Sequence, residues 1–257
     1  MRTAAEVEVV LGLAGSGVGA SATARRTGLP RGTVRSWIRG QVPRTLAEAK
    51  TGRCEQCGGA EHDLANLPPS YPYLLGLYLG DGCISEHRRG VPRIRVHLDL
   101  RYPGIIKECE AALADLLPDD RVHTLTRCSN YTGLNKPSSV VVSQYSKRWP
   151  CLIPQHGRGK KHERSIALRS WQWRHVRTDP GIILRGLIHS DGCRFMNTGR
   201  NWSHPRYCFR NKSEDLLDIF EFACGLLELR CTRSPNTVYV SRKADVAVLD
   251  EHVGSKR

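Results

Sequence analysis

The chain has 257 residues, 40% hydrophobic and 25% charged, the composition of a globular protein with one or two domains and room for a small extra module. Its 39 lysines and arginines against 25 aspartates and glutamates give a formal charge of +14, an excess that selects polyanionic partners, DNA or RNA first. With no apolar run near the ~20 residues that cross a bilayer, a poor secretion signal around Glu6 and Glu8, and scattered cysteines of which Cys109, Cys208 and Cys224 fall inside apolar patterns, the composition argues against membrane and disulfide-stapled classes and for a reducing cytoplasm.

Residues 1–45 form the first element group. Ala22–Thr27 is a short helical run, Gly28-Leu29-Pro30 breaks it, and Arg31–Arg39 follows as a second helix ended by Gly40. Small Ala24 lets two helices approach, and Gly28 supplies the positive φ of a tight turn. Val34 and Trp37, three apart, point to one side and pack inward. This spacing resembles the helix-turn-helix family, whose second helix enters the major groove. The resemblance implies that Arg31, Thr33, Arg35, Ser36 and Arg39 meet bases and phosphates.

Residues 46–70 read as a linker rich in glycine and proline. It carries Cys54-Glu55-Gln56-Cys57, then Gly58, Gly59 and His62. Two cysteines at this spacing grip one tetrahedral Zn²⁺, and the glycines allow the turn. His62 is a candidate third ligand. A fourth is not identifiable, and two plain loop cysteines fit the pattern as well.

The rest of the chain is an internal repeat. Leu74-Leu75-Gly76-Leu77-Tyr78-Leu79-Gly80-Asp81-Gly82 returns as Leu184-Arg185-Gly186-Leu187-Ile188-His189-Ser190-Asp191-Gly192. After each Asp-Gly pair come two strands, including Arg93–Leu98 in the first copy and Arg206–Phe209 in the second. A helix follows at Gly104–Glu110 and at Glu214–Phe220, then strands ending in Val140–Ser143 and Val238–Ser241. Each copy therefore predicts helix, two strands, helix, two strands, helix. The first is longer by a loop around Asn130–Asn135. Alternation by two puts Arg93, Arg95 and His97 on one sheet face.

Over residues 71–257 this pattern resembles the LAGLIDADG homing endonucleases of the single-chain, two-motif kind. The resemblance implies an α+β fold of duplicated αββαββα repeats, with saddle-shaped antiparallel sheets lying over DNA, plus the small all-α helix-turn-helix module. It divides the core into a first repeat at 71–165 and an inter-repeat linker with the second repeat at 166–257. The two motif helices pack together because Gly76 and Gly186 remove side-chain bulk, and Asp81 and Asp191 emerge side by side as the catalytic, metal-binding carboxylates. Two such carboxylates repel unless a cation lies between them. Mg²⁺, or Mn²⁺, is the natural choice for hard oxygen ligands and supports phosphodiester hydrolysis. The resemblance further implies a lysine near the end of each sheet, matched by order to Lys147 and Lys243, with Arg148 or Arg242 as alternatives. It also implies DNA contacts from Arg93, Arg95, His97, Arg206 and Arg210.

Double-stranded DNA is thus the expected partner of a pseudo-twofold monomer in the cytoplasm, at the nucleoid. The chain lacks a terminal His-Asn pair, so a free-standing protein rather than an intein is expected. Intact carboxylates in both copies favour a metal-dependent endonuclease of intron-homing type. The helix-turn-helix favours a non-cleaving transcriptional regulator, since a sporulation-regulator family joins the same two modules in the opposite order. An RNA-splicing cofactor uses the fold too, though nothing in the sequence asks for it.

Overall fold

The computed structural model describes residues 4–42, 54, 56–59, 61–87, 90–128, 137–254 and 256. The expected loop at Asn130–Asn135 and part of the linker, including Gly52, lie outside them. The chain divides into two compact units, Met1–His62 and Asp63–Arg257.

The described part of the first unit contains α1 (Ala4–Gly15), α2 (Ala20–Thr27) and α3 (Arg31–Ile38). The sequence pattern had marked only the last two. Val7 and Val10 of α1 complete a small core with Leu29, Val34 and Trp37. Its closure depends on Gly28, which ends α2 at φ 69°, a left-handed conformation open to glycine at little cost.

In the second unit the predicted order appears twice. The first copy runs α4 (Tyr71–Asp81), β1 (Gly82–Glu86), β2 (Pro92–Asp99), α5 (Pro103–Leu116), β3 (Val122–Cys128), β4 (Pro137–Tyr145) and α6 (Trp149–Leu152). After α7 (Ser170–Thr178) the second runs α8 (Pro180–Asp191), β5 (Gly192–Gly199), β6 (Trp202–Arg210), α9 (Glu214–Leu226), β7 (Cys231–Ser234), β8 (Thr237–Val240) and α10 (Lys243–Val253). The two sheets have the same antiparallel order, β1-β2-β4-β3 and β5-β6-β8-β7.

Helices α4 and α8 are the centre of this unit. Every residue of α4 from Tyr71 to Leu79 is buried, which a helix apolar all round requires. A Cβ on Gly76 would stand 2.7–2.9 Å from backbone atoms of Ile183, Gly186 and Leu187, and one on Gly186 would strike the Tyr73 carbonyl. The two backbones meet at these glycines. Each sheet covers the pair with its apolar face: Ile94, Val96, Leu98, Val140 and Val142 from one, Tyr207, Phe209, Val238 and Val240 from the other.

Tyr71, Gln172 and His189 find hydrogen-bond partners inside this core. The Tyr71 hydroxyl donates to the Leu152 carbonyl at 2.8 Å and accepts from Gln172 of α7 at 2.7 Å. His189 lies with Nδ1 3.0 Å from the Tyr73 hydroxyl and Nε2 3.2 Å from the Val253 carbonyl. Burial and the charge of Arg185 hold it near pKa 4, hence neutral. His189 therefore ties α8 to the end of α10 and serves the fold.

Candidate functional site

Asp81 closes α4 and Asp191 closes α8. In each case the following glycine leaves the helix extended, while its N–H still bonds back to the carbonyl of Tyr78 or Ile188. Each carboxylate consequently sits at a helix C-terminus and at the root of its sheet's first strand. The helices bring the two ends together. A Cβ on Gly80 would clash with Ser190 and stand 3.0 Å from Asp191 Oδ2, so glycine at 80 makes room for the second motif's end.

The electrostatics follow from this crowding. Burial, then the charge of Asp191, raises the Asp81 carboxyl to about 6. Asp191 is also raised by burial, against the pull of an Asn211 hydrogen bond and two lysines. Asn211 Nδ2 donates to Asp191 Oδ2 at 2.8 Å, while Asn211 Oδ1 accepts from Ser213 N at 2.8 Å. The carboxamide is thereby locked with its donor toward the carboxylate.

The lysines acting on both carboxylates are Lys161 and Lys256. Lys147 and Lys243, which repeat order selected, are instead exposed, beyond β4 and at the start of α10. Lys161 Nζ donates to the carbonyls of Tyr78 and Gly80, the latter at 3.0 Å. Lys256 Nζ donates to the Gly192 carbonyl at 2.8 Å. Each follows the closing helix of its own repeat and returns to the end of that repeat's motif helix, where carbonyls and the helix dipole favour a cation. Burial lowers Lys161 to about 8, opposed by the two aspartates, so it remains mostly charged at neutral pH.

Two clefts flank the pair. One, of about 330 Å³, is lined by Gly82, Cys83, Lys161, Arg164 and Asn211 among others. The other, of about 230 Å³, is lined by Asp81, Asp99, Arg101, Ser190 and Lys256. Two half-buried carboxylates with open space beside them fit a hard divalent ion such as Mg²⁺ or Mn²⁺, which keeps several waters. Asp81 and Asp191 are the residues that would hold it.

The open sheet faces carry most of the remaining candidates. In β2, Arg93, Arg95 and His97 alternate with buried Ile94, Val96 and Leu98. They pair across to Tyr145, Ser143 and Val141 of β4. Arg93 donates to Ser143 Oγ at 2.7 Å and lies 5.0 Å from the Tyr145 ring centre. The imidazole of His97 is lowered by partial burial and by the charges of Arg95 and Arg127, which marks this face as positive. In β6, Arg206 and Arg210 alternate with buried Tyr207 and Phe209. Arg206 stacks 4.0 Å from the Tyr239 ring centre. Beside them Cys193 and Cys208 stand directly opposite each other, Sγ to Sγ 3.2 Å.

In the first unit Arg31, Arg35 and Arg39 are exposed and Thr33 and Ser36 half-buried, around the buried Val34 and Trp37. Ser36 Oγ is 3.2 Å from Gln41 Oε1. The cysteine pair keeps its promise of proximity: the donor atoms of Cys54, Cys57 and His62 lie within 4.8 Å of one another.

Sequence reasoning missed Lys161, Lys256 and Asn211. Lys161 carried a faint signal, a basic glycine-bearing stretch Gly157-Arg158-Gly159-Lys160-Lys161 near the end of the first repeat. Asn211 lies 20 residues after Asp191, the offset that places Arg101 after Asp81, but nothing local marks it as a carboxylate partner.

No protein-family description and no curated protein matches the chain by sequence. Solved structures do match. The homing endonuclease I-WcaI, bound to its DNA recognition sequence, superposes with a TM-score of 0.50 at 12% identity, covering 73% of this chain and 82% of that one. The meganuclease I-AabMI, bound to uncleaved DNA, gives 0.40 at 13% identity over 72% and 83%. Full-length DUF199/WhiA from Thermatoga maritima gives 0.44 at 16% identity over 76% of this chain. This chain spans only 60% of the WhiA length. The architecture is that of the LAGLIDADG fold, an α+β structure with two four-stranded antiparallel sheets. Among the described residues no helix is long and apolar enough to cross a membrane.

Proposed function

We propose that the protein is a site-specific, double-strand DNA endonuclease of the homing type, acting as a pseudo-twofold monomer at the nucleoid. The observation that carries this reading is the convergence of Asp81 and Asp191, half-buried and mutually repelling, at the joined ends of α4 and α8. A fold has no stability reason to crowd two carboxylates, and such strain collects at functional sites. Mg²⁺ or Mn²⁺ held by the pair supplies the Lewis acidity that phosphodiester hydrolysis needs.

The chain's own groups do the rest. Asn211 orients Asp191. Lys161 and Lys256 place positive charge beside the scissile phosphates and offset the field of the carboxylates. Arg93, Arg95, His97, Arg206 and Arg210 meet the groove and backbone from the open sheet faces. Arg31, Thr33, Arg35, Ser36 and Arg39 form a second reading surface on α3 and its end. One carboxylate per repeat serves one strand each.

A non-cleaving transcriptional regulator is the second reading. It is favoured by the same two lysines, which already set two cationic groups against two carboxylates without a metal. A plasmid-library assay with Mg²⁺ or Mn²⁺, run beside a gel-shift titration, separates the two. Linear product lost in Asp81→Asn and Asp191→Asn, with binding retained, supports the nuclease. Tight site-specific binding with neither nicked nor linear product replaces it with the regulator.

A further inference from the structure

The endonuclease reading does not use Cys54, Cys57 and His62, and a metal centre there stands independently of it. The segment has its own local geometry. Gly58 N–H donates to the Cys54 carbonyl at 2.8 Å, and Cys54 N–H donates to the Gly59 carbonyl at 2.9 Å. Gly58 itself adopts φ 67°, a left-handed value that lets the chain reverse directly after Cys57. The reversal aims Gly59 N–H at Cys57 Sγ, 3.4 Å away. Backbone N–H donation of this kind stabilises a thiolate. It also returns the chain so that His62 Nε2 comes to 3.2 Å from Cys57 Sγ.

Zinc bonds of about 2.3 Å to sulfur and about 2.0 Å to nitrogen at a tetrahedral angle set ligand atoms roughly 3.5–3.8 Å apart. The three donors, all within 4.8 Å of one another, are gathered at that scale. We propose that Cys54, Cys57 and His62 bind one structural Zn²⁺. Two thiolates and an imidazole suit this borderline-soft ion rather than Mg²⁺ or Ca²⁺. The ion would fix a turn that has no apolar side chain of its own from Cys54 to Gly59, as zinc does in small modules without a core.

The test uses the full chain, purified without chelator. Metal analysis should find one zinc per chain, and Cys57→Ser and His62→Ala should each lose it. Since loss of a ligand can also unfold the turn, a second measurement uses the unaltered protein. Alkylation of the native chain, mapped by mass spectrometry, should leave Cys54 and Cys57 protected, and a chelator should expose both. Any further cysteine protected in the same zinc-dependent way is the fourth ligand, and if there is none the fourth position belongs to water or a nitrogen. Replacement by Co²⁺ should produce an intense thiolate-to-cobalt charge-transfer band in the near ultraviolet. The proposal is overturned if Cys54 and Cys57 label equally fast with and without chelator and Co²⁺ produces no such band.

Discussion

Replacing Asp81 by Asn should make the protein more stable while it removes cleavage. The Asp81 carboxyl rises from 3.8 to about 6 on folding, through burial and the nearby Asp191 charge. Its pKa is higher folded than unfolded, so the native state binds the proton more tightly and stability falls as pH rises from about 4 to about 6. Above that window the full penalty is present. Two units correspond to about 3 kcal/mol. Water still reaching the half-buried group reduces this to about 1–2 kcal/mol. For a unit of this size that is a rise in melting temperature of about 3–6 °C. The assay is thermal unfolding of wild type and Asp81→Asn in EDTA at pH 4, 6 and 8. The gain should be near zero at pH 4, grow through pH 6 and level off by pH 8. Addition of Mg²⁺ should then raise the wild-type melting temperature and leave the variant's nearly unchanged. An Asn variant that melts lower at every pH, or gains equally at pH 4 and pH 8, would refute the idea that the carboxylate is held against its preference.

Three further outcomes follow from the geometry. Gly186→Ala should cost at least about 3 kcal/mol, because its Cβ meets the Tyr73 carbonyl and Gly76 rather than a movable side chain; denaturant unfolding checks this, and a loss below 1 kcal/mol would mean the helices separate easily. DNA affinity should fall by orders of magnitude between about 50 and 200 mM salt, since each phosphate contact releases counterions, and a flat gel-shift titration across that range would count against an arginine-lined interface. Treatment with diamide should join Cys193 to Cys208, whose sulfurs are 3.2 Å apart against about 2.05 Å in a disulfide; peptide mapping should find the cross-linked pair with two hydrogens lost, and both thiols recovered unmodified would contradict their opposed register.

What the sequence determined by itself was the periodic and repeated part of the protein. The doubled Leu-x-Gly-Leu-x-x-x-Asp-Gly motif, the alternation of Arg93, Arg95 and His97 with apolar neighbours, and the break at Gly28-Leu29-Pro30 each express a local rule of backbone geometry, which a chain carries in its order of residues. Those rules reached the order of elements in each repeat and the motif helices that end at Asp81 and Asp191; the fold class came from the resemblance that the doubled motif carries. Helix α1 escaped because its apolar residues are not confined to one face and became meaningful only once Val7 and Val10 met Trp37. The lysines escaped for a different reason. Order along the repeat pointed to Lys147 and Lys243, but a flexible ammonium is placed by where its own loop returns, not by strand register. Only the tertiary structure could bring Lys161 and Lys256, from beyond the closing helices, to the carbonyls at the ends of α4 and α8, because that juxtaposition rests on backbone traces meeting across the core and leaves no period in the sequence.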